Sequence, residues 1–186
     1  MTKIGELIFD IYTHKANNRY GLSDVNQLQH ALQSAAIAEQ QGEPASMIVA
    51  ALLHDVGHMV HDLGEDPARQ GIDDLHEERG AAFLEQHFGP EIVEPVRLHV
   101  PAKRYLCAID PSYFGKLSED SVRSLALQGG PMEQTEVEKF RQLQYSDDAV
   151  RLRRIDEAAK NPNALTPQVG HYIVYVEKML RPSAIC

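Results

Sequence analysis

Met47-Ile48-Val49-Ala50-Ala51-Leu52-Leu53-His54-Asp55-Val56-Gly57-His58 is the stretch that decides how this chain folds. The run up to Leu53 is apolar on every helical face, so the helix it predicts lies inside a core rather than on its surface. The run ends in a histidine and an aspartate, and Gly57 stops the helix. A carboxylate placed behind such a run is costly to bury unless something pairs with it. A metal ion is one such partner. A neighbouring imidazole and carboxylate ligate together, and the second carboxylate oxygen is free to bridge to another ion. The plainer reading is an aspartate at a helix end, hydrogen-bonded to backbone.

The pattern outside that stretch is also helical. Ile4, Leu7, Ile8, Ile11 and Tyr12 follow helical spacing. A second helix is predicted from an N-cap at Ser23 or Asp24 to Gly42, with Leu28, Ala31, Leu32, Ala35 and Ala36 on its buried side and His30 beside them. The central helix starts near Pro44. Residues 58–74 read as a long loop. A helix follows from His76 to His87, then one from Pro90 that Pro95 and Pro101 should shorten, kink or interrupt. Ser118 reads as the N-cap of a helix reaching Gln128, before Gly129-Gly130. Helices are predicted over Gln134–Gln142, Ser146–Lys160 and Thr166–Leu180. No segment alternates as a strand does. The expected fold is all-α, a single domain over 1–186.

Composition narrows the function. Hydrophobic residues make up 43% of the chain, enough for a sizeable core, and the formal net charge is -9. Such an acidic chain is a poor partner for nucleic acid or a membrane surface. A small anionic substrate still fits if basic side chains converge locally. Cys107 and Cys186 form no CxxC pair, the opening residues lack a signal-peptide core, and no stretch approaches a membrane span. These features favour the cytoplasm and leave the oligomeric state open.

His30, His54, Asp55, His76, His99 and Asp156 are the candidate metal ligands. Their nitrogen and oxygen donors, without thiolates, suit iron, manganese or zinc. Taken singly each is weak. His76 also reads as an exposed helix start, and Asp156, after Arg151, Arg153 and Arg154, as half of a surface ion pair. His14, His61, His87 and His171 are left as ordinary histidines.

In this order the residues resemble the HD-domain superfamily (H…HD…D, here His30, His54-Asp55 and Asp156), and the added His76 and His99 resemble its dinuclear members. Further segments narrow the likeness. Tyr20…Asn26-Gln27-Leu28-Gln29-His30, His99-Val100-Pro101-Ala102-Lys103-Arg104-Tyr105-Leu106, Leu117-Ser118-Glu119-Asp120-Ser121 and Gln128-Gly129-Gly130 are similar to the mixed-valence diiron oxygenases that cleave organophosphonates. The resemblance implies two iron ions, Fe(II)/Fe(III), with dioxygen as co-substrate. It puts His30, His54, Asp55 and Asp156 on the first ion and Asp55, His76 and His99 on the second, with Asp55 bridging. It implies a small hydroxyphosphonate substrate held by His58, Lys103, Ser121 and Arg153, with His58 and Lys103 nearest the chemistry. Arg104 reads as a surface cation.

One departure bears on the substrate. Primary-amine members of the group carry a Tyr-x-x-Glu segment over the substrate ammonium, whereas here Tyr20 is followed by Ser23 at the Glu position and Asp24 one residue on. A shorter, displaced acid leaves room for a trimethylammonium group, which cannot donate N–H bonds and prefers aromatic faces with a counter-charge. The expected substrate is therefore (R)-1-hydroxy-2-(trimethylammonio)ethylphosphonate, giving glycine betaine and phosphate, with Tyr20 and Asp24 at the cationic end. Alternatives stay open: the primary-amine substrate giving glycine, an HD phosphohydrolase using a metal-bound water, a non-catalytic sensor, and chemistry like that of myo-inositol oxygenase.

Overall fold

The computed structural model describes residues 1–18, 22, 24–60 and 67–182. Among them there is no strand. The helices are α1 (Lys3–Asp10), α2 (Gln27–Gln40), α3 (Ala45–Leu53), α4 (His76–Leu84), α5 (Pro90–Ile109), α6 (Pro111–Phe114), α7 (Glu119–Leu127), α8 (Gln134–Arg141), α9 (Ser146–Ala158) and α10 (Val169–Met179). As its sequence requires, α3 is the centre. Every residue from Met47 to Leu53 is buried, and α3 packs against α2, α5, α9 and α10. The main core joins those helices to α1 and α4, and a small second cluster forms around Ala102, Phe140 and Ala149.

Several boundaries differ from the sequence expectation. The N-cap of α2 is Asn26, not Ser23 or Asp24. Asn26 and Gln29 satisfy each other's backbone N–H groups (Gln29 N–H to Asn26 Oδ1 2.8 Å, Asn26 N–H to Gln29 Oε1 3.0 Å). This reciprocal pair outcompetes a lone cap upstream. The helix after Pro90 runs unbroken to Ile109 through both internal prolines. Pro95 and Pro101 remove N–H groups facing the Glu91 and Arg97 carbonyls, on residues outside the core. Burial of Ile92, Val93, Val96, Val100 and Leu106 against α3, α4 and α9 outweighs that loss. The predicted 58–74 loop carries 3₁₀ turns at Val56–Met59 and Pro67–Gln70. α4 stops at Leu84, short of His87, while α9 stops at Ala158, short of Lys160, and α10 begins only at Val169.

Two details seat the end of α3. The last carbonyls of a helix have no partner within it. The Ala51 carbonyl accepts from His54 Nδ1 (2.8 Å) and the Leu52 carbonyl from the Tyr12 hydroxyl (2.6 Å). Tyr12 reaches it from a π-helical turn, Ile11–Lys15, where a plain continuation of α1 was expected. Gly57 does not stop the helix, which already ends at Leu53; it lies in the 3₁₀ turn that follows. A Cβ there would lie 1.9 Å from the His76 carbonyl oxygen, so only glycine lets this turn press against the start of α4.

Candidate metal centre and anion wall

The helices bring the six predicted ligands into one buried cage. His30 comes from α2, His54 and Asp55 from the end of α3, His76 from the first position of α4, His99 from mid-α5 and Asp156 from α9. Two groups of donors result: His30, His54 and Asp156, and Asp55, His76 and His99. In the first, His30 Nε2 lies 3.1 Å from His54 Nε2 and 3.2 Å from Asp156 Oδ1. In the second, His76 and His99 Nε2 are 3.2 Å apart, and each is 3.7 Å from Asp55 Oδ1. The other oxygen of Asp55, Oδ2, is 3.6 Å from His30 Nε2. Asp55 therefore faces both groups, as a bridging carboxylate must.

The tautomers test whether this cage suits cations. His30 Nδ1 donates to the Ala159 carbonyl (2.9 Å), His54 Nδ1 to Ala51, His99 Nδ1 to Val96 (2.7 Å) and His76 Nδ1 to Asp74 Oδ1 (3.0 Å). All these oxygens only accept, so each Nδ1 carries its proton and each neutral ring turns an Nε2 lone pair inward. Lone pairs then face each other across both His–His contacts. A cation in each group satisfies them. Without one, a shared proton must do so. Burial lowers the pKa of His30 and His76, but the hydrogen bonds and charges of Asp156 and Asp74 outweigh it; His30 is raised and His76 is pushed up to about 9. Burial dominates at His54 and His99, which are lowered. Each pair thus has one ring that takes a proton and one that accepts from it. The donor set fits two divalent or trivalent ions of the iron, manganese or zinc kind. Burial would raise Asp55 and Asp156, yet the surrounding imidazoles, and for Asp156 the Arg153 guanidinium, hold both carboxylates below their usual range.

The cage opens into a cavity that several cationic side chains share with it. His30, Asp55, His76, His99 and Asp156 line it together with His58, Lys103, Ser121, Arg153 and Lys160. His58 Nδ1 donates to Asp74 Oδ2 (2.6 Å), and its ring stacks on His76 with centroids 4.0 Å apart. Asp74 thereby orients His58 and His76 at once. Lys103 is 3% exposed and donates to Ser124 Oγ (2.9 Å). Burial, helped by the Arg153 charge, lowers its pKa to about 7. Arg153, also buried, donates to Tyr113 Oη (2.7 Å), Ser121 Oγ (3.1 Å), Asp156 and Glu157. Ser121 sits in the first turn of α7, its N–H given to the Ser118 Oγ cap, at the helix end whose dipole favours an anion.

Other expectations meet the structure as follows. Asp156 is no surface ion pair; it is buried against Arg153. Arg104 is not a free surface cation, since it binds both Glu136 oxygens and the Gly130 carbonyl. Asp24 is exposed and is not among the described residues lining the cavity, whereas its neighbour Leu22 is. Tyr20, Ser23 and His61 lie outside the described residues. His14 and His171 are exposed, with local partners. The sequence reading missed Gln27, Asp74, Glu157 and Lys160. Gln27 is fully buried and its Nε2 lies 3.3 Å from Asp55 Oδ2. Its position three residues before His30, on the same helix face, was the available signal.

A helical cage with the HD pair at its centre defines the class, and the HD domain family matches residues 28–140. The chain belongs to that family. Within it, the chain is 43% identical to a [1-hydroxy-2-(trimethylamino)ethyl]phosphonate dioxygenase (glycine-betaine-forming) of Leisingera caerulea, over 95% of this chain and 90% of the relative. It is 40% identical to a hydroxymethylphosphonate dioxygenase of Gimesia maris, over 95% and 88%. An uncharacterized protein, L432, of Acanthamoeba polyphaga mimivirus is 32% identical over 82% and 71%. No helix among the described residues is long and apolar enough to cross a membrane.

Proposed function

We propose that this protein is a diiron oxygenase that cleaves the C–P bond of [1-hydroxy-2-(trimethylamino)ethyl]phosphonate, giving glycine betaine and phosphate. The observation that carries this reading is the cavity itself, which is lined by five of the six cage donors (His30, Asp55, His76, His99 and Asp156) and, beside them, by Lys103, Ser121 and Arg153. A hydroxyphosphonate has the matching ends. The similarity to two phosphonate dioxygenases supports the reaction class. The reaction balances without another reductant, because a 1-hydroxyphosphonic acid plus dioxygen equals a carboxylic acid plus phosphoric acid, atom for atom.

The residues divide the work. His30, His54, Asp55 and Asp156 would hold one iron, and Asp55, His76 and His99 the other, with Asp55 shared. Bound as a mixed-valence Fe(II)/Fe(III) pair, the irons would supply the redox chemistry toward dioxygen. Lys103, Ser121 and Arg153 fix the phosphonate by charge and hydrogen bonds, so that its C1 faces the cage. His58, steadied by Asp74, faces the same cavity and contacts the substrate from the HD side. The cationic end is assigned to the side of the cavity lined by Leu22. Tyr20 and Asp24 are proposed for it on the sequence resemblance, as an aromatic face and a counter-charge.

A second reading keeps the chemistry and changes the substrate, since one relative is named for hydroxymethylphosphonate, which has no cationic group. A substrate panel separates the two. The trimethylammonium compound should give the highest kcat/KM, ahead of the primary amine and hydroxymethylphosphonate. Asp24→Asn should raise KM for the trimethylammonium substrate and leave that for hydroxymethylphosphonate nearly unchanged. Ser23→Glu should shift preference toward the primary amine. A wild-type preference for hydroxymethylphosphonate would overturn the choice of substrate and leave the C–P-cleaving oxygenase in place.

A further inference from the structure

Glu157 sits among the groups that an incoming anion needs. Ser121 Oγ donates to its Oε2 at 2.9 Å, Lys160 Nζ to the same oxygen at 2.9 Å, and the Ser118 N–H to Oε1 at 2.9 Å. Arg153 also donates to Oε2. Ser121, Lys160 and Arg153 line the cavity, and Glu157 lies behind them.

Donor capacity shows what this means. The Lys160 ammonium has three N–H bonds to give, and its contacts are Ser118 Oγ (3.0 Å), Ser121 Oγ (2.9 Å) and Glu157 Oε2. The single Ser121 hydroxyl proton goes to Glu157. Arg153 directs Nε to Tyr113, Nη1 to Asp156 and Nη2 to Ser121 and Glu157. Lys103 differs, because its one hydrogen bond, to Ser124, leaves two N–H groups for a ligand. Among these donors Lys103 therefore has two N–H groups to offer a phosphonate and Arg153 one Nη1 N–H, while the Ser121 proton, one Lys160 N–H and one Arg153 Nη2 N–H are held by the internal carboxylate of Glu157.

We propose that Glu157 is an internal competing anion: it occupies the Ser121, Lys160 and Arg153 donors when the site is free, and yields them to the phosphonate or phosphate group. This rests on the function proposed above. Binding is then an exchange of one anion for another. The exchange spares the free protein the cost of burying unpaired cations. It also weakens the hold on product, because the carboxylate takes its donors back as phosphate leaves. Glu157 acts through those donors and touches neither substrate nor reacting atoms, so it is a positioning residue.

The sign of one substitution tests this. Inorganic phosphate is titrated calorimetrically into anaerobic, iron-loaded protein. Glu157→Gln keeps the shape and removes the charge, so it should bind phosphate on the order of tenfold more tightly than wild type. Phosphate should also become a stronger product inhibitor, with kcat lowered and KM not raised. If Glu157 only braces the donors, the same variant should bind phosphate more weakly, which would overturn the proposal, as would unchanged affinity. Should Glu157→Gln fail to fold, Glu157→Asp withdraws the carboxylate by one methylene and must show the same tightening. Lys160→Met should weaken phosphate binding in either background. Lys103→Ala separates the two readings. If it leaves phosphate affinity unchanged, the phosphonate site itself is misplaced; if it weakens binding while neither Glu157 variant tightens it, only the exchange fails.

Discussion

The two halves of the cage are built differently. His30, His54 and Asp156 stand on regular helices or at their ends, and backbone carbonyls of Ala159 and Ala51 orient both rings. In the other half, His76 follows Leu75, which has left-handed backbone (φ 50°, ψ 41°), and a side chain, Asp74, orients its ring. Gly57 packs against the same point of the chain. One half is fixed by the core. In the other, His99 is likewise held on α5 by the Val96 carbonyl, but His76 depends on a turn, a strained residue and a carboxylate, so this should be the easier half to perturb. Asp55 belongs to both, because its two oxygens face the two groups.

Removing the shared member should have the largest effect. Asp55→Ala should lose both irons, measured as metal per chain after reconstitution, and bring activity to background. Two tightly held irons in that variant would refute the bridge. His76→Ala should lose mainly one iron. Asp74→Asn is a sharper probe of the asymmetry. It should weaken the second iron by about tenfold to a hundredfold and leave the first nearly untouched, since outer partners of a ligand typically carry that much. Equal loss from both sites would erase the distinction between the halves.

The anion wall gives the next effect. Lys103→Ala should keep both irons and lose about 1.5–3 kcal/mol, or on the order of tenfold to a hundredfold in kcat/KM. Because Lys103 in the free protein titrates at about 7, kcat/KM should fall as pH rises through that value, and Lys103→Arg, always charged, should flatten that limb. The same shift sets a stability trend. Between about 7 and the ordinary lysine value the unfolded chain binds more protons, so this group's contribution to stability improves as pH rises across that window and its cost is full below it. Chemical denaturation of Lys103→Met against wild type, at pH 6 and pH 9, should show the variant's advantage shrinking at the higher pH. The smallest effect is Leu75→Gly, which removes the left-handed strain and should raise stability by up to about 1 kcal/mol. A loss of that size would mean the turn is held by the leucine side chain.

The difference between the halves also governed what the sequence disclosed. The six ligands were legible, and His30, His54-Asp55, His76, His99 and Asp156 all meet in the cage. Asp74 was not, because it acts across a turn whose geometry depends on a left-handed leucine that no propensity predicts. Glu157 and Lys160 follow a ligand directly in sequence, yet the donors they share come from α7, and only tertiary packing brings Ser118 and Ser121 to them. The prolines neither shorten nor interrupt α5, for a related reason: local proline rules gave way to burial. The Asn26 cap was overlooked in favour of Ser23 and Asp24, although Gln29 three residues later marks it.

The most direct test of the account is a single anaerobic mixing experiment. Iron-loaded protein is combined with [1-hydroxy-2-(trimethylamino)ethyl]phosphonate without oxygen, ¹⁸O-labelled dioxygen is then admitted, and phosphate and glycine betaine are measured throughout. The account predicts that phosphate appears only after oxygen enters, in equal amount to glycine betaine, with one labelled oxygen in the new carboxylate. Phosphate released equally well before oxygen is admitted, or sustained by zinc in place of iron, would contradict it and make the cage that of a hydrolase.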